Sequence, residues 1–301
     1  MLDIISRAGC FIAIIILGYV LRRTGFFNEH AFPILCKIVL KITLPASIVV
    51  SFSQMELDAS MLTLTLLGFG GGLIYALVGF FMNIRKSKAE QAFDVLNLPG
   101  YNIGIFTLPF LQSFLGPAGV VTASLFDTGN AVVCLGGTYG VASSIKAGKG
   151  FSLKRIGKAL ITSVPFMSYL VMIILNLLQV RLPGVVLSFA GIIKDANAFI
   201  AMLMIGVGFK LEAKKEQIGF VVKRVVLRYG IAAVVACIFY FLLPFSAEVR
   251  QALVIVAFSP ISSSVPAFTE ELGEDSGISA AINSICIVVS IVIMVTLLMV
   301  M

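Results

Sequence analysis

Few residues in this 301-residue chain have side chains and spacings suited to chemistry. Two apolar stretches are interrupted by helix breakers. One holds Pro99, Gly100, Gly104 and Pro109, the other Pro260, Ser262, Ser263, Ser264 and Pro266. A proline inside a helix lacks the N–H that would bond the carbonyl four residues back. In lipid an unsatisfied backbone group is costly, so each break must face protein or water. Two breaks brought together would turn helix N-termini, with free N–H groups and positive dipole ends, into one cavity. Such a cavity suits an anionic group. Asn102 stands two helical turns before Pro109, with Tyr101 and Gly104 beside it. Its amide both donates and accepts. It holds a carboxylate, caps the broken helix, or does both. The hydroxyls of Ser262, Ser263 and Ser264, ahead of Pro266, either donate to an anion, help freed carbonyls coordinate Na⁺ near Ser263, or bond back to their own helix.

Asp127 is read as the one acid deep in an apolar span, with Asn130 one turn on. A carboxylate inside a membrane is a functional candidate. It binds a proton or coupling ion, or it braces the neighbouring break. The matching position in the second half is Ser284, so no acid pair or charged cluster arises. That weakens a dedicated Na⁺/H⁺ antiporter. Lys37 and Lys41 share one helix face and fit snorkelling to the lipid interface. Lys194 and Asp195 are expected at the outer end of a span, with Asp195 or Asn197 as its cap. Gly68 and Gly72 form a GxxxG spacing, a close-packing device in membrane helices. Cys10, Cys36, Cys134, Cys237 and Cys286 form no CxxC pair and are expected to be buried small hydrophobes. With one histidine, His30, no His-based metal site can form. No catalytic triad, paired acid–base carboxylates or metal-ligand spacing appears, so an enzyme is not expected.

The elements that carry these residues are dictated by composition. Hydrophobic residues make up 59% of the chain and charged residues 12%, against about 25% charged in a soluble domain. The runs 60–83 and 280–301 carry no charge and read as membrane-spanning helices. Soluble enzymes, nucleic-acid binders and disulfide scaffolds are excluded. The expected architecture is all-α, with ten transmembrane helices near 4–21, 32–52, 61–83, 96–115, 118–143, 157–178, 185–209, 225–244, 249–272 and 278–300. The first run is expected to be a span, because Arg22 and Arg23 follow it where a signal peptide has its charge in front. The formal charge of +7 is a topology signal. Most of the basic residues fall between spans 1 and 2 (Arg22, Arg23), 3 and 4 (Arg85, Lys86, Lys88), 5 and 6 (Lys146, Lys149, Lys154, Arg155, Lys158), and 7 and 8 (Lys210, Lys214, Lys215, Lys223, Arg224, Arg228). The opposite face has Arg7, Arg181 and Arg250. The first set is expected in the cytoplasm and both termini outside. The acidic 9–10 connection (Glu270, Glu271, Glu274, Asp275) is the exception.

The chain repeats itself. The run 108–116 (LPFLQSFLG) parallels 265–273 (VPAFTEELG), and 44–52 (LPASIVVSF) parallels 199–207 (FIAMLMIGV) more weakly. Each copy is half the chain with five spans, and an odd number forces the second copy to insert inverted. Inverted repeats with broken helices in matching places mark a secondary transporter. The expected units are 1–143, a cytoplasmic linker at 144–156, and 157–301.

The same motifs resemble the auxin efflux carrier family, which includes plant auxin exporters of the PIN type and bacterial malate and malonate permeases. The run 98–110 (LPGYNIGIFTLPF) carries that family's Asn and Pro, here Asn102 and Pro109. The runs 43–47 (TLPAS), 126–130 (FDTGN), 203–206 (LMIG), 259–266 (SPISSSVP) and 270–273 (EELG) are similar to its spans 2, 5, 7 and 9. The resemblance covers the whole chain. It implies the inverted-repeat fold of bile-acid sodium symporters and sodium–proton antiporters, a scaffold of spans 1, 2, 6 and 7, a moving domain of spans 3–5 and 8–10, and a homodimer through the scaffold. It also implies an organic anion held where spans 4 and 9 cross. The long cytoplasmic loop of the plant carriers is missing, and serines replace Asn or Val in span 9. The expectation is a secondary carrier or uniporter for small organic anions in the inner membrane. Asn102, Tyr101, Gly104, Pro109, Ser262, Ser263, Ser264 and Pro266 would bind substrate, with Asp127 and Asn130 in support. H⁺ or Na⁺ would be the coupling ion, with no other cofactor and no nucleic acid. The rivals are a cation or proton antiporter of the same fold and a non-transporting receptor or channel.

Overall fold

The computed structural model describes residues 2–28, 30–147, 152–209 and 215–301. Lys149, Lys210 and Lys214, used above for orientation, and part of the expected linker lie outside the described residues. Those described are helical or irregular, with no strand among them. Seven helices are long and apolar enough to cross a membrane. They are Ile5–Arg23, Ala31–Ser53, Ala59–Met82, Gly116–Lys146, Gly184–Gly208, Ile218–Leu242 and Ser276–Val300, in segments 1, 2, 3, 5, 7, 8 and 10. An eighth forms if Leu153–Thr162 and Val164–Leu177 count together as segment 6. These two meet at 76°. The corner is built by Ser163, extended and capping Phe166 N–H, and by Pro165 in the first turn that follows. Lys154, Arg155 and Lys158 are exposed on the first of the pair.

Segments 4 and 9 depart from the expectation of ten membrane-length helices. Segment 4 is Lys88–Asn97, a break, then Ile103–Phe114; segment 9 is Ala247–Ala257, a break, then Val265–Glu271. The breaks fall at 98–102 and 258–264, ahead of Pro109 and Pro266. Pro266 sits in the first turn of Val265–Glu271, where a missing N–H costs little, and Pro109 falls where the π-helical turn Ile103–Thr107 passes into α-helix. Gly100, in left-handed backbone at φ 83°, and the Pro-Ile-Ser-Ser-Ser run interrupt the helices instead.

Segment 7 packs on segments 1 and 2, and segment 6 on segment 2. Segments 3, 4 and 5 pack on one another, segments 4 and 5 also on 9, and segment 3 on 8. Segment 5 further packs on 2 and 6, segment 4 on 7, and segment 10 on 1. The GxxxG expectation holds: a Cβ on Gly68 would run into the Phe126 carbonyl, and one on Gly72 would press on Val133. Segments 3 and 5 therefore touch backbone to backbone.

Several boundary expectations are corrected. Segment 8 starts at Ile218, so Lys223, Arg224 and Arg228 belong to the helix and not to a loop. Arg224 and Arg228 are buried. Segment 4 starts at Lys88, which makes Asp94 a buried acid inside the bundle, whereas Asp127 is half-buried. Lys194 and Asp195 lie at a mid-helix kink of segment 7, not at its end, and Asn197 caps nothing there. Of the cysteines, Cys134 and Cys286 are buried, Cys36 is half-buried, and Cys10 and Cys237 are exposed. The acidic 9–10 connection lies against basic residues of the 5–6 connection. Arg155 forks onto Glu271 at 2.9 and 2.8 Å, and Lys146 pairs with Glu274 and donates to the Leu272 carbonyl at 3.0 Å. Two of its four acids, Glu271 and Glu274, are thus paired with cations of the 5–6 connection.

Candidate functional site

The two breaks meet. Asn102 N–H donates to the Pro260 carbonyl at 2.9 Å. Beside this contact the hydroxyls of Thr107 and Ser259, both fully buried, lie 2.5 Å apart. Opening two helices inside an apolar bundle frees many backbone groups, and each must find a partner. Asn130 serves Tyr101 as a substitute backbone: its Oδ1 accepts from Tyr101 N–H at 3.1 Å, and its Nδ2 donates to Tyr101 O at 3.0 Å. Arg228, from the middle of segment 8, serves three carbonyls. It donates to Leu98 O, to Gly100 O at 2.8 Å and to Ser259 O at 2.8 Å. Ser290 donates to Phe258 O at 2.6 Å.

Asp127 stands at the edge of the crossing. Its Oδ1 accepts from Asn130 Nδ2 at 2.7 Å and its Oδ2 from Tyr169 Oη at 2.9 Å. The carboxylate is therefore coupled through Asn130 to the first break and through Tyr169 to segment 6. Asn102 behaves differently from its neighbours. Its amide caps no helix and makes no hydrogen bond among the described residues, although the residue is only 6% exposed.

Two cavities reach this point. The smaller, about 160 Å³, is lined by Asn102, Gly104, Asp127, Asn130 and all three serines, with Tyr169 and Phe166 of segment 6 on its far wall. The larger, about 570 Å³, is lined by Asn102, Ser263 and Pro266, and extends to Arg22, Asn28 and Ser276 at the helix ends that carry the basic connections. Asn102 and Ser263 border both. The first four N–H groups of a helix have no partner within it. Ile103, Gly104 and Ile105, at the start of Ile103–Phe114, line the smaller cavity. The arrangement thus presents helix donors, an uncommitted amide and serine hydroxyls to one space, with a single carboxylate across it. Ser262 and Ser264 hydroxyls lie 2.9 Å apart.

The sequence-based site is gathered here with two corrections. Pro109 lines neither cavity, because the chain has re-entered helix before it. Tyr101 borders the smaller cavity, but its ring packs edge-on against Tyr75 and Phe126 in the interior. Tyr169 and Arg228 were not anticipated. Tyr169 is one of several tyrosines in apolar runs, with nothing local to single it out. Arg228 follows a basic cluster and reads as part of it. Lys37 and Lys41 are exposed, away from the crossing.

On the side away from the basic connections, a polar belt joins segments 2, 4 and 7. Gln112 Oε1 accepts from Ser47 Oγ at 2.7 Å and from Asn197 Nδ2 at 3.1 Å. Thr43 Oγ1 donates to Asn197 Oδ1 at 2.8 Å, and Gln112 Nε2 donates to Lys194 O at 3.3 Å.

Residues 10–148, which hold segments 1 to 5, match the family described as Membrane transport protein. An uncharacterized transporter of Methanothermobacter thermautotrophicus is similar at 22% identity over 207 residues, covering 66% of this chain and 65% of the relative. The chain thus spans just under two thirds of that relative's length.

Proposed function

We propose, for a chain that belongs to the auxin efflux carrier family of membrane transport proteins, that it is a secondary carrier or uniporter of small organic anions. One observation carries this reading. The uncommitted Asn102 amide stands at the N-terminal end of Ile103–Phe114, where the two cavities meet. A carboxylate there would take the amide, the free helix N–H groups and serine hydroxyls as donors. The small volume of the inner cavity favours short carboxylates. Asp127 would carry the coupling proton, since its two hydrogen bonds tie it to both the crossing and segment 6.

In this reading the chain crosses the cytoplasmic membrane ten times as two inverted five-helix repeats, 1–143 and 157–301. The broken segments 4 and 9 count as crossings. The basic connections face the cytoplasm and both termini lie outside. Segments 1, 2, 6 and 7 are the scaffold and the homodimer contact, and the remainder moves past them as an elevator. The large cavity then opens to the cytoplasm, and the belt around Gln112 closes the outer side. Solid-supported-membrane currents from reconstituted protein test the reading. Malate, malonate, succinate and indole-3-acetate would be applied at two pH values, with and without Na⁺. The expected result is a saturable current for at least one carboxylate, abolished by Asn102→Ala in protein that remains folded. Silence for every anion, with a current on Na⁺ or pH jumps alone, overturns the anion reading in favour of a cation antiporter.

A further inference from the structure

The crossing has two electrical poles. Its donor pole faces the cavities. Its acceptor pole lies behind, where Leu98 and Gly100 follow the C-terminal end of Lys88–Asn97 and Ser259 follows that of Ala247–Ala257. Helix C-termini carry partial negative charge. In carriers with broken helices, such ends and unwound carbonyls are where a coupling Na⁺ is coordinated. Here the place is filled by protein. The Arg228 guanidinium is 1% exposed and binds the carbonyls of both breaks, Leu98 and Gly100 from one and Ser259 from the other. The rings of Tyr75 and Tyr101 flank it at 5.0 and 5.8 Å.

Its charge is not neutralised by an acid. Asp94 is committed to Arg224 at 2.6 and 3.0 Å, Asp127 to Asn130 and Tyr169. Among the described residues no carboxylate forms an ion pair with Arg228. An uncompensated cation at mid-membrane is expensive. It persists because three carbonyls at two half-helix C-terminal ends accept its N–H groups, and among the described residues those carbonyls have no other hydrogen-bond partner.

We propose that Arg228 is the resident cation of the crossing. It occupies permanently the acceptor pole that a mobile Na⁺ takes in sodium-coupled carriers, so the donor pole is set for an anion without bound sodium. The inference rests on the anion-site reading for its consequence, and transport by this chain is then indifferent to Na⁺.

The first test needs no substrate. The chain lacks tryptophan, so helix melting in detergent is followed by circular dichroism, in choline, potassium or sodium chloride at equal ionic strength. The wild-type midpoint is expected to be the same in all three. Arg228→Ala is expected to melt several degrees lower and to regain most of that loss in millimolar guanidinium, which leaves wild type unchanged. Arg228→Lys, which keeps the charge but not the fork, is expected to fall between. A saturable rise of the wild-type midpoint with Na⁺ over choline overturns the proposal, as does a folded Arg228→Ala that no small cation restores. If Arg228→Ala yields no folded protein, the wild-type sodium titration and Arg228→Lys decide. The currents supply a second arm: a carboxylate current that requires Na⁺ also overturns it. Absence of any carboxylate current overturns the anion reading and leaves the melting result to stand.

Discussion

Asp94 and Arg224 bury a complete ion pair, their side chains 3% and 6% exposed. The second oxygen of Asp94 also accepts from Asn83 Nδ2 at 2.7 Å, and the guanidinium lies 3.0 Å from the Phe220 ring centre. Removing one partner of such a pair leaves a buried charge alone, at a cost of about 3–5 kcal/mol. Asp94→Ala is expected to lower the melting midpoint sharply, and Asp94→Ala with Arg224→Leu to recover most of the loss, a coupling that a double-mutant cycle reads directly. Asp127 makes a different prediction. Asp127→Asn keeps the size and one acceptor oxygen but cannot exchange a proton. Anion currents in this variant are expected to persist with their pH dependence gone; currents as pH-dependent as wild type would remove Asp127 from coupling. Asp127 was legible in the sequence because a charge inside an apolar run is conspicuous. Asn102 and the serines were legible because they sit amid helix breakers. Arg228 was not, because, although it lies inside the expected span 225–244, it reads as the last member of the basic cluster that begins at Lys223 and Arg224.

The breaks owe their shape to single residues. Gly100 takes left-handed backbone, and a Cβ there would lie 2.7 Å from Cys134 Sγ. Left-handed backbone costs an L-residue about 1–2 kcal/mol, and the close contact adds to it. Gly100→Ala should therefore destabilise the protein, and a second change, Cys134→Ala, should relieve the steric part and leave the conformational part. Melting of the single and double variants checks both terms; full recovery in the double would mean the backbone at 100 is unstrained. The seven membrane-length helices and the meeting of the breaks in segments 4 and 9 followed from hydropathy and from matched breakers. The position of each break did not. A proline at the first turn and a proline inside a helix look alike in sequence, and only the satisfaction of the surrounding carbonyls, by Arg228 and Asn130, tells them apart. The 76° corner at Ser163 was hidden for a similar reason, since an apolar run crossing a corner has the composition of a straight one.

The cavities and the polar belt lie on opposite sides of the crossing. Arg22, Asn28 and Ser276 border the larger cavity at the basic end. At the other end Gln112 ties segment 4 to Ser47 and Asn197 of segments 2 and 7. These are the contacts that must break if segment 4 is to move against segments 2 and 7 and open the far side. A neutral hydrogen bond is worth about 1 kcal/mol net. Gln112→Ala removes the bonds to Ser47, Asn197 and Lys194 together, and should move the balance of two conformations about tenfold or more toward the opposite opening. Thiol accessibility in sealed vesicles measures this without a substrate. Ser263→Cys reports from the wall shared by both cavities, in a background with Cys10, Cys36, Cys134 and Cys237 changed to serine, since Cys134 also lines the smaller cavity. A membrane-impermeant reagent is expected to reach it from the basic face alone, and from the opposite face as well once Gln112→Ala is added. If the added change leaves the opposite face unreactive, the belt does not govern access. A reagent that reaches Ser263→Cys equally from both faces before the change would mean that the far side is already reachable, so that the belt does not close it.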